Sequence, residues 1–412
     1  MKLTIDSDRL NRELHELGAI SAEPPPVVTR VVYTEADMRA RRYVRGLCIE
    51  AGLKVREDPV GNTFVRWKGA EPDLVPVGTG SHIDAIPNAG LFDGCVGVLG
   101  GLEAIRALER AGFRPRRSIE LIVFTSEEPT RFGIGCFGSR LMSGALPASA
   151  GATLRDADGQ TLDEARRAAG YSGEIADVEL HKGCYSAFAE LHIEQGPILE
   201  QKQLDIGVVT AIAAPATVRI EIEGEGGHAG AVLMPQRRDA FLAGAEIALA
   251  VEAAAKATGA PDTVGTTGIC DIFPRAVNSI PSRVRMDIDV RDIDGARRDG
   301  VLTQVNRAAD EIAARRKVSL RQEILNADPP AQCDPDLVAA IERACDANGL
   351  AHQRMISRAY HDSLFMSMVA PVAMIFIPCR GGVSHRPDEY SSPEAVAKGA
   401  LALAEALASL AG

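Results

Sequence analysis

The amino-terminal part of the chain alternates between helical and strand-like spacing of apolar residues. Leucines at positions 10, 14 and 17 recur with helical spacing after Asp6 or Ser7, which predicts a capped amphipathic helix. The pattern then predicts a helix over 35–52, strands over 54–67 and 74–77, a helix from Val98 onward and a strand over 118–125. Strand, crossover helix and strand in this order indicate a right-handed parallel unit.

A different pattern fills residues 213–327. Strand-like runs at 218–223, 263–272, 283–290 and 318–324 surround two helical stretches at 238–258 and 301–314. The order strand-helix-strand-strand-helix-strand is typical of a ferredoxin-like α+β sandwich. Pro215 and the sequence Asp328-Pro329-Pro330 mark its edges. We therefore expect 213–327 to be a domain inserted into a first domain formed by 1–212 and 328–412.

The last part of the chain returns to the first pattern. A helix is predicted over 335–349, a buried strand over 372–377 and a final alanine-rich helix capped by Ser392. Together with the parallel unit, these elements predict an α/β fold on a mixed, mainly parallel sheet, with the α+β segment as an insertion.

Composition narrows the class of protein. The 412 residues are 46% hydrophobic and 25% charged, as in a globular protein, and the net charge of −11 argues against a nucleic-acid-binding surface or a basic membrane patch. The eight cysteines are scattered without a CxxC pair, and neither a signal-peptide core nor an uncharged membrane-spanning run occurs. We expect a cytoplasmic protein with reduced thiols that binds neither nucleic acid nor a membrane.

Histidine and carboxylate side chains occur at the carboxyl ends of four predicted strands. Ligands bind at this edge in open α/β sheets, so we expect these side chains to lie close together. The residues are His82, Asp84 and Asp93 after the first strand, Glu127 and Glu128 after the second, His192 and Glu194 on one side of the third and His385 after the fourth.

Taken singly, each of these residues has an ordinary explanation as a surface or loop residue. Taken together, imidazole and carboxylate groups suit zinc, manganese or magnesium. Two divalent ions require a bridging carboxylate, a role that suits Asp93. The expected grouping is His82 and His192 on one ion and Glu128 and His385 on the other. Glu127 could take a proton from water and pass it to the leaving nitrogen.

Five stretches of the chain carry a family resemblance. They are GSHIDAIPNAGLFDG, FTSEEPTRFG, ELHIEQGPILE, GGHAG and SHRPDEY. In this order they are similar to motifs of the hydantoinase/carbamoylase group of di-metal amidohydrolases, relatives of aminoacylases and dizinc carboxypeptidases. The resemblance implies two Mn²⁺ or Zn²⁺ ions per subunit, a homodimer, and an inserted lid or dimerisation domain. The site residues it implies are His82, Asp93, Glu128, His192 and His385 as metal ligands and Glu127 as general base.

The resemblance also implies supporting residues around the reaction centre. His228 resembles the histidine that reaches the partner subunit's active site and stabilises the developing oxyanion. Gln195 resembles a contact with the amide or ureido group of the substrate. Asp84, two residues after His82, fits a carboxylate that orients a ligand histidine.

Two further matches concern a carboxylate on the substrate. Asn278 and Arg291 resemble the residues that hold this carboxylate, and a guanidinium offers a bidentate fork for the purpose. Without the resemblance, Arg291 would be interpreted as an arginine at a strand end that pairs with Asp289 or Asp292.

Departures from the common family motifs indicate the substrate. Many carbamoylases and allantoate amidohydrolases carry a Gly-Gln-Arg-like segment where this chain has AAPA at 213–216, and Gly-Ala-Gly-His-Asp where it has RAYHD at 358–362. These variants resemble the branch of the family that releases ammonia from ureidoglycolate in purine-ureide catabolism. Tyr360 would narrow the pocket for a small hydroxy-acid ureide, and His361 could contact the substrate's carboxylate or hydroxyl group.

Other functions remain open at this point. An N-carbamoyl-L-amino acid hydrolase or an allantoate amidohydrolase would use the same chemistry, and a dizinc peptidase would share the metal ligands. A non-enzymatic binding protein on this fold would be expected to lack Glu127 or a ligand. A dinucleotide-binding protein has no support, because no G-x-G-x-x-G opens a helix.

Overall fold

The computed structural model describes residues 2–412. Its helices are α1 (Ser7–Gly18), α2 (Glu35–Glu50), α3 (Cys95–Arg110), α4 (Phe137–Ser143), α5 (Ala148–Thr153), α6 (Leu162–Ala168), α7 (Ile198–Lys202), α8 (Ala240–Ala257), α9 (Gly295–Arg316), α10 (Pro335–Ala347), α11 (Asp362–Met366) and α12 (Pro393–Ala411). Its strands are β1 (Val28–Arg30), β2 (Lys54–Glu57), β3 (Thr63–Trp67), β4 (Val77–His82), β5 (Ala85–Ala89), β6 (Ile119–Phe124), β7 (Ala187–Ile193), β8 (Ile206–Ile212), β9 (Ala214–Glu223), β10 (Gly227–His228), β11 (Val264–Phe273), β12 (Ser279–Ile280), β13 (Arg283–Asp292), β14 (Ser319–Ala327), β15 (Ala331–Gln332), β16 (His352–Ser357) and β17 (Val372–Ile377).

The elements divide into two units. The larger unit comprises the chain up to Thr210 together with Gln332–Ser357 and His361–Gly412. The smaller unit comprises Ala211–Ala331 and the short segment Arg358–Tyr360. It therefore extends a few residues beyond the predicted insertion 213–327 and takes in a segment that no feature of the sequence assigned to it.

A nine-stranded sheet with the order β15-β8-β17-β7-β4-β6-β3-β2, in which β16 also pairs with β8, organises the larger unit. The four neighbours β17, β7, β4 and β6 are mutually parallel, whereas β3 and β8 pair antiparallel with the flanks of this group. The predicted α/β fold with a mixed sheet is confirmed. The parallel pairing between neighbouring strands is that of the central four.

The central strands are covered on both faces, since every residue of β4, β6, β7 and β17 is buried. Helices α3 and α12 pack against each other and against β7. Glycines allow this close approach, because a Cβ on Gly100 or Gly399 would lie 2.6 or 2.7 Å from side-chain atoms of Leu191. The predicted amino-terminal helix is confirmed as α1, whose N-cap Asp6 accepts a hydrogen bond from the backbone N–H of Arg9 at 3.0 Å.

The strand that leads to His82 differs from its prediction. The apolar run 74–77 predicts a strand there, but β4 begins where that run ends and continues through Gly78, Thr79, Gly80 and Ser81. These small residues have no apolar pattern because neighbouring strands lie very close to them. A Cβ on Gly80 would lie 2.1 Å from the carbonyl oxygen of Ile122. His82 is therefore the last residue of a strand and not part of a loop.

The smaller unit contains a four-stranded antiparallel sheet with the order β11-β13-β9-β14. Helices α8 and α9 pack against this sheet over a core of aliphatic side chains. This is the strand order of a ferredoxin-like sandwich, in agreement with the sequence pattern. A function as a lid or dimerisation domain stays a prediction.

None of the helices within residues 2–412 combines the length and the apolar character that crossing a bilayer requires.

Candidate metal centre

The four central parallel strands end at one edge of the sheet, and each leads to part of the candidate site. His82 ends β4, and His192 is the last residue but one of β7. Glu127 and Glu128 lie beyond the end of β6, and His385 lies in the loop that follows β17. Parallel neighbours share their carboxyl edge, so the chain direction alone brings these side chains to the same place.

Asp93 lies between two groups of possible ligands. Its Oδ1 atom is 3.1 Å from Nε2 of His192 and 3.7 Å from Nε2 of His82. Its Oδ2 atom is 3.2 Å from Nε2 of His385, which is also 3.2 Å from Oε1 of Glu128. Within each group, the possible ligand atoms lie within 4.8 Å of one another. The two groups share Asp93 and match the grouping expected from the sequence.

Both buried histidines present Nε2 to the site because Nδ1 is engaged elsewhere. Nδ1 of His82 is 3.1 Å from the backbone oxygen of Asp84, and Nδ1 of His192 is 2.9 Å from that of Ile193. A hydrogen bond of this kind fixes the tautomer and the ring orientation of a ligand histidine. Both Nε2 atoms therefore face the site, where that of His192 accepts a hydrogen bond from the backbone N–H of Gly94 at 3.2 Å.

The carboxylate of Asp84 fixes the loop that carries the two glutamates. Its oxygens accept hydrogen bonds from the backbone N–H groups of Glu127 at 3.1 Å and Glu128 at 3.0 Å. Its Oδ1 atom also lies 3.6 Å from Nδ1 of His82. Asp84 thus touches residues from both β4 and the end of β6 and holds them in one geometry.

The charges at the site favour a bound cation. Burial raises the pKa of Glu127 well above its ordinary value, and the charges of Glu128 and Asp93 add to the effect against the opposing effect of His82. Hydrogen bonds to Asp93 and Glu128 raise the pKa of His385 to about 11. Carboxylates that raise one another's pKa are relieved by a divalent ion, so this set of donors fits a metal.

Glu127 differs from the neighbouring carboxylates. It is buried and belongs to neither group of possible ligands, although its Oε2 atom lies 3.9 Å from Nε2 of His82. The thiol of Cys136 donates a hydrogen bond to its Oε1 atom, with an S–O distance of 3.5 Å. Glu127 therefore lies beside the centre with a carboxylate oxygen available for proton transfer.

Three predicted residues near β7 have different surroundings. Gln195 donates a hydrogen bond to Oδ2 of Asp93 at 2.8 Å, while its Oε1 atom is buried without a hydrogen-bond partner within residues 2–412. His361 is buried behind His192, with ring centroids 4.5 Å apart. Glu194 accepts hydrogen bonds from backbone N–H groups at the start of α7. The side chain of Glu194 thus caps a helix.

The remaining predicted residues belong to the smaller unit. Arg291 forms an ion pair with Asp289 at 2.8 Å, and its guanidinium carbon lies 5.9 Å from the ring centroid of Tyr360. His228 and Asn278 are exposed on two paired segments, where the N–H of Ala229 donates to the backbone oxygen of Asn278 at 2.9 Å. The ion pair is the one expected of Arg291 without a family resemblance.

Several residues of the site were missed at the sequence level. Ser384 donates a hydrogen bond to Oδ2 of Asp93 at 2.7 Å, and Glu389 accepts one from the backbone N–H of Asp93 at 3.1 Å. Burial, followed by the charge of Asp93, raises the pKa of Glu389 to about 7. Both residues lie in the motif SHRPDEY, from which only the histidine was predicted to be a ligand. Cys136 carries no sequence signal of its own.

Comparison with known proteins identifies the family. The fold and the donor set define a metal-dependent hydrolase built on an α/β sheet. Residues 78–409 match the model of peptidase family M20/M25/M40, and the chain belongs to this family.

Individual relatives refine this placement. The chain is 54% identical to a ureidoglycolate hydrolase of Arabidopsis thaliana over 99% of this chain and 87% of the relative. It is 40% identical to an N-carbamoyl-L-amino acid amidohydrolase of Geobacillus stearothermophilus over 96% of each protein. A crystal structure of AtUAH in complex with glyoxylate superimposes with a TM-score of 0.89 and 53% identity, over 99% of this chain and 98% of that one. The predicted relationship to the hydantoinase/carbamoylase group is confirmed.

Proposed function

We propose that this protein is a two-ion amidohydrolase that cleaves the terminal C–N bond of ureidoglycolate and releases ammonia. The observation that carries the proposal is the carboxylate of Asp93, whose two oxygens face two separate groups of histidine and carboxylate donors. A relative that is 54% identical over nearly the whole chain is a ureidoglycolate hydrolase, which supports this substrate.

In this proposal His82 and His192 would hold one ion and Glu128 and His385 would hold the other, with Asp93 as a ligand available to both. The ion is Mn²⁺ or Zn²⁺, since both accept nitrogen and oxygen ligands. Bound divalent ions would supply Lewis acidity that polarises the scissile carbonyl group and makes water nucleophilic near neutral pH.

Glu127 serves as the general base and then as the general acid. Its carboxylate takes a proton from the attacking water and gives it to the departing nitrogen, which leaves as ammonia. The hydrogen bond from Cys136 to Oε1 restricts the position of this carboxylate. Asp84 maintains the loop on which it lies by accepting the backbone N–H of Glu127.

Three side chains bind the substrate in this proposal, and a fourth limits its size. Arg291 and Asn278 bind its carboxylate, and the ring of Tyr360 beside Arg291 limits the size of the group that fits there. The unpartnered Oε1 atom of Gln195 accepts a hydrogen bond from the ureido NH₂ group. In this proposal His361 packs against His192, with ring centroids 4.5 Å apart, and does not contact the substrate.

We further propose a homodimer in the cytoplasm. His228 is exposed in the smaller unit and would complete the partner's site by stabilising the negative charge on the substrate oxygen. A reducing compartment suits the cysteines, all eight of which are free thiols.

The relative with 40% identity is an N-carbamoyl-L-amino acid amidohydrolase, which makes such compounds the second candidate substrates. The test is to remove metal from the protein, restore Mn²⁺ or Zn²⁺ separately, and measure ammonia release. The substrates are ureidoglycolate, allantoate, several N-carbamoyl-L-amino acids and a dipeptide. We expect the highest kcat/KM with ureidoglycolate. A preference for a carbamoyl amino acid would contradict ureidoglycolate as the substrate but would leave the proposed metal centre standing. Equal rates of ammonia release with and without metal would contradict the proposed metal centre.

A further inference from the structure

A buried carboxylate that the proposed reaction does not use lies next to the candidate centre. Glu389 is only 4% exposed. Its Oε1 atom accepts hydrogen bonds from the backbone N–H groups of Phe92 at 2.8 Å and Asp93 at 3.1 Å. Its Oε2 atom lies 2.9 Å from the hydroxyl oxygen of Ser384. One side chain therefore joins the loop before α3 to the loop after β17.

Ser384 continues this connection to the bridging carboxylate. Its Oγ atom lies 2.7 Å from Oδ2 of Asp93 and 3.3 Å from Nε2 of Gln195. Oδ2 is the oxygen that faces His385, whereas Oδ1 faces the histidines at positions 82 and 192. Ser384 also directly precedes His385 in the chain. Ser384 thus contacts the oxygen of Asp93 that faces His385.

The loop that precedes Asp93 packs closely against Glu389 and Tyr390. A Cβ on Gly90 would lie 2.4 Å from Cβ of Glu389, so the absence of a side chain there lets the loop lie against the glutamate. The ring of Phe92 meets that of Tyr390 edge-on, with centroids 5.9 Å apart. Two residues that precede Asp93 are therefore in contact with Glu389 or its neighbour.

We propose that Glu389 and Ser384 are positioning residues that direct Oδ2 of Asp93 towards His385 and thereby set the affinity of one ion of the pair. The inference rests on the proposed two-ion centre. Without the Ser384 hydroxyl, Oδ2 loses a donor that restricts its rotation, while Oδ1 keeps its position near His192. The affinities for the two ions should therefore change by different amounts. The ion beside His385 would be bound more weakly, and the affinity for the ion beside His192 would change little.

The test is a stepwise titration of the metal-free protein with Mn²⁺ and, separately, with Zn²⁺, followed by calorimetry. For wild type we expect two binding steps. Ser384→Ala should weaken one step by about 10- to 100-fold, as is usual for residues that support a ligand, and leave the other within about threefold. Glu389→Ala should weaken the same step as Ser384→Ala, because the backbone at Asp93 and the hydroxyl of Ser384 lose a common partner. Glu389→Gln should restore most of the affinity, because its amide accepts the two backbone N–H groups and donates to Ser384.

Ser391→Ala is the matched control. Ser391 is buried in the same segment and its hydroxyl donates to the backbone oxygen of Pro378 at 2.6 Å, away from Asp93. Thermal unfolding of the metal-free variants separates a loss of folding from a loss of binding. The positioning role is overturned if Ser384→Ala titrates like wild type, or if it weakens both steps equally. A wild-type protein that binds fewer than two ions would overturn the two-ion centre as well, whatever substrate the enzyme prefers.

Discussion

The carboxylate of Asp84 accepts a hydrogen bond from the backbone N–H of Glu127 at 3.1 Å, although 43 residues separate the two in sequence. The second oxygen of the same carboxylate accepts the N–H of Glu128 at 3.0 Å. The proposed general base and a proposed ligand therefore depend on one buried side chain that itself contacts neither water nor substrate in the proposed mechanism. This relationship leads to the first prediction.

Asp84→Asn should lower kcat by about 10- to 100-fold and weaken metal binding by a similar factor. An amide places an NH₂ group against one of the two backbone N–H donors, so the loop carrying Glu127 must shift. Steady-state kinetics at saturating metal and a metal titration would measure the two effects. Asp158→Asn, at an exposed position, is the control. Unchanged kcat and affinity in Asp84→Asn would show that the loop does not depend on this carboxylate.

Glu127→Gln should abolish most of the turnover and leave the metal in place. General acid–base catalysis contributes about 10²- to 10⁴-fold, and kcat should fall within this range. Glu127 belongs to neither group of possible ligands, so metal analysis of the purified variant should match wild type. Loss of metal together with activity would assign Glu127 to the ligands instead.

A mixing experiment tests the proposed contribution of His228 to the partner's site. His228→Ala and Glu127→Gln should each be nearly inactive as homodimers. Unfolded together and refolded as a mixture, they should recover about a quarter of wild-type activity, because half of the dimers would contain one intact site. Sedimentation of the mixture must show dimers. If no activity returns in a dimeric mixture, His228 acts within its own subunit or not at all.

Much of the centre could be predicted because its ligands combine distinctive chemistry with a position fixed by topology. His82, Glu128 and His192 lie at or just beyond the ends of adjacent parallel strands, where chain direction determines the edge that they share. Asp93 could be chosen as the bridging ligand because it is an aspartate in the stretch between His82 and the next helix. These inferences required only the order of strands and helices and the ligand preferences of divalent ions.

What could not be predicted depends on contacts between distant parts of the chain. The hydrogen bond from Phe92 to Glu389 joins residues 297 positions apart, and a glutamate in a polar loop has no local pattern that reveals its burial. The strand was predicted over 74–77 and not at β4, because Gly78 and Gly80 interrupt the pattern of apolar residues there. Tyr360 groups with the smaller unit through its position beside Arg291, which sequence spacing does not show.

Tyr360→Gly should change the choice of substrate. Removing the ring beside Arg291 leaves room for a larger side chain, so the ratio of kcat/KM for an N-carbamoyl-L-amino acid to that for ureidoglycolate should rise by about tenfold or more. Tyr360→Phe keeps the ring and should retain the wild-type ratio. If Tyr360→Gly lowers both values equally, the ring supports the guanidinium and does not limit the pocket.

Arg30 offers a test of how the core supports the centre. Its side chain is fully buried, with Nε donating to the backbone oxygen of Ile83 and Nη1 donating to those of Leu17 and Ile20. Nη2 donates to the thiol of Cys95 at 3.2 Å. Ile83 stands between His82 and Asp84 in sequence, so this arginine holds the backbone from which two residues of the site project.

Arg30→Met should destabilise the metal-free protein by about 3 kcal/mol, because buried carbonyl groups lose their donor and only part of the cost is offset by removing a buried charge. Urea unfolding would measure this loss. Metal affinity should fall as well, since the backbone at Ile83 gains freedom. Arg45→Met, exposed on α2, should change neither quantity. If Arg30→Met is destabilised but binds metal like wild type, the guanidinium stabilises the fold without positioning the site.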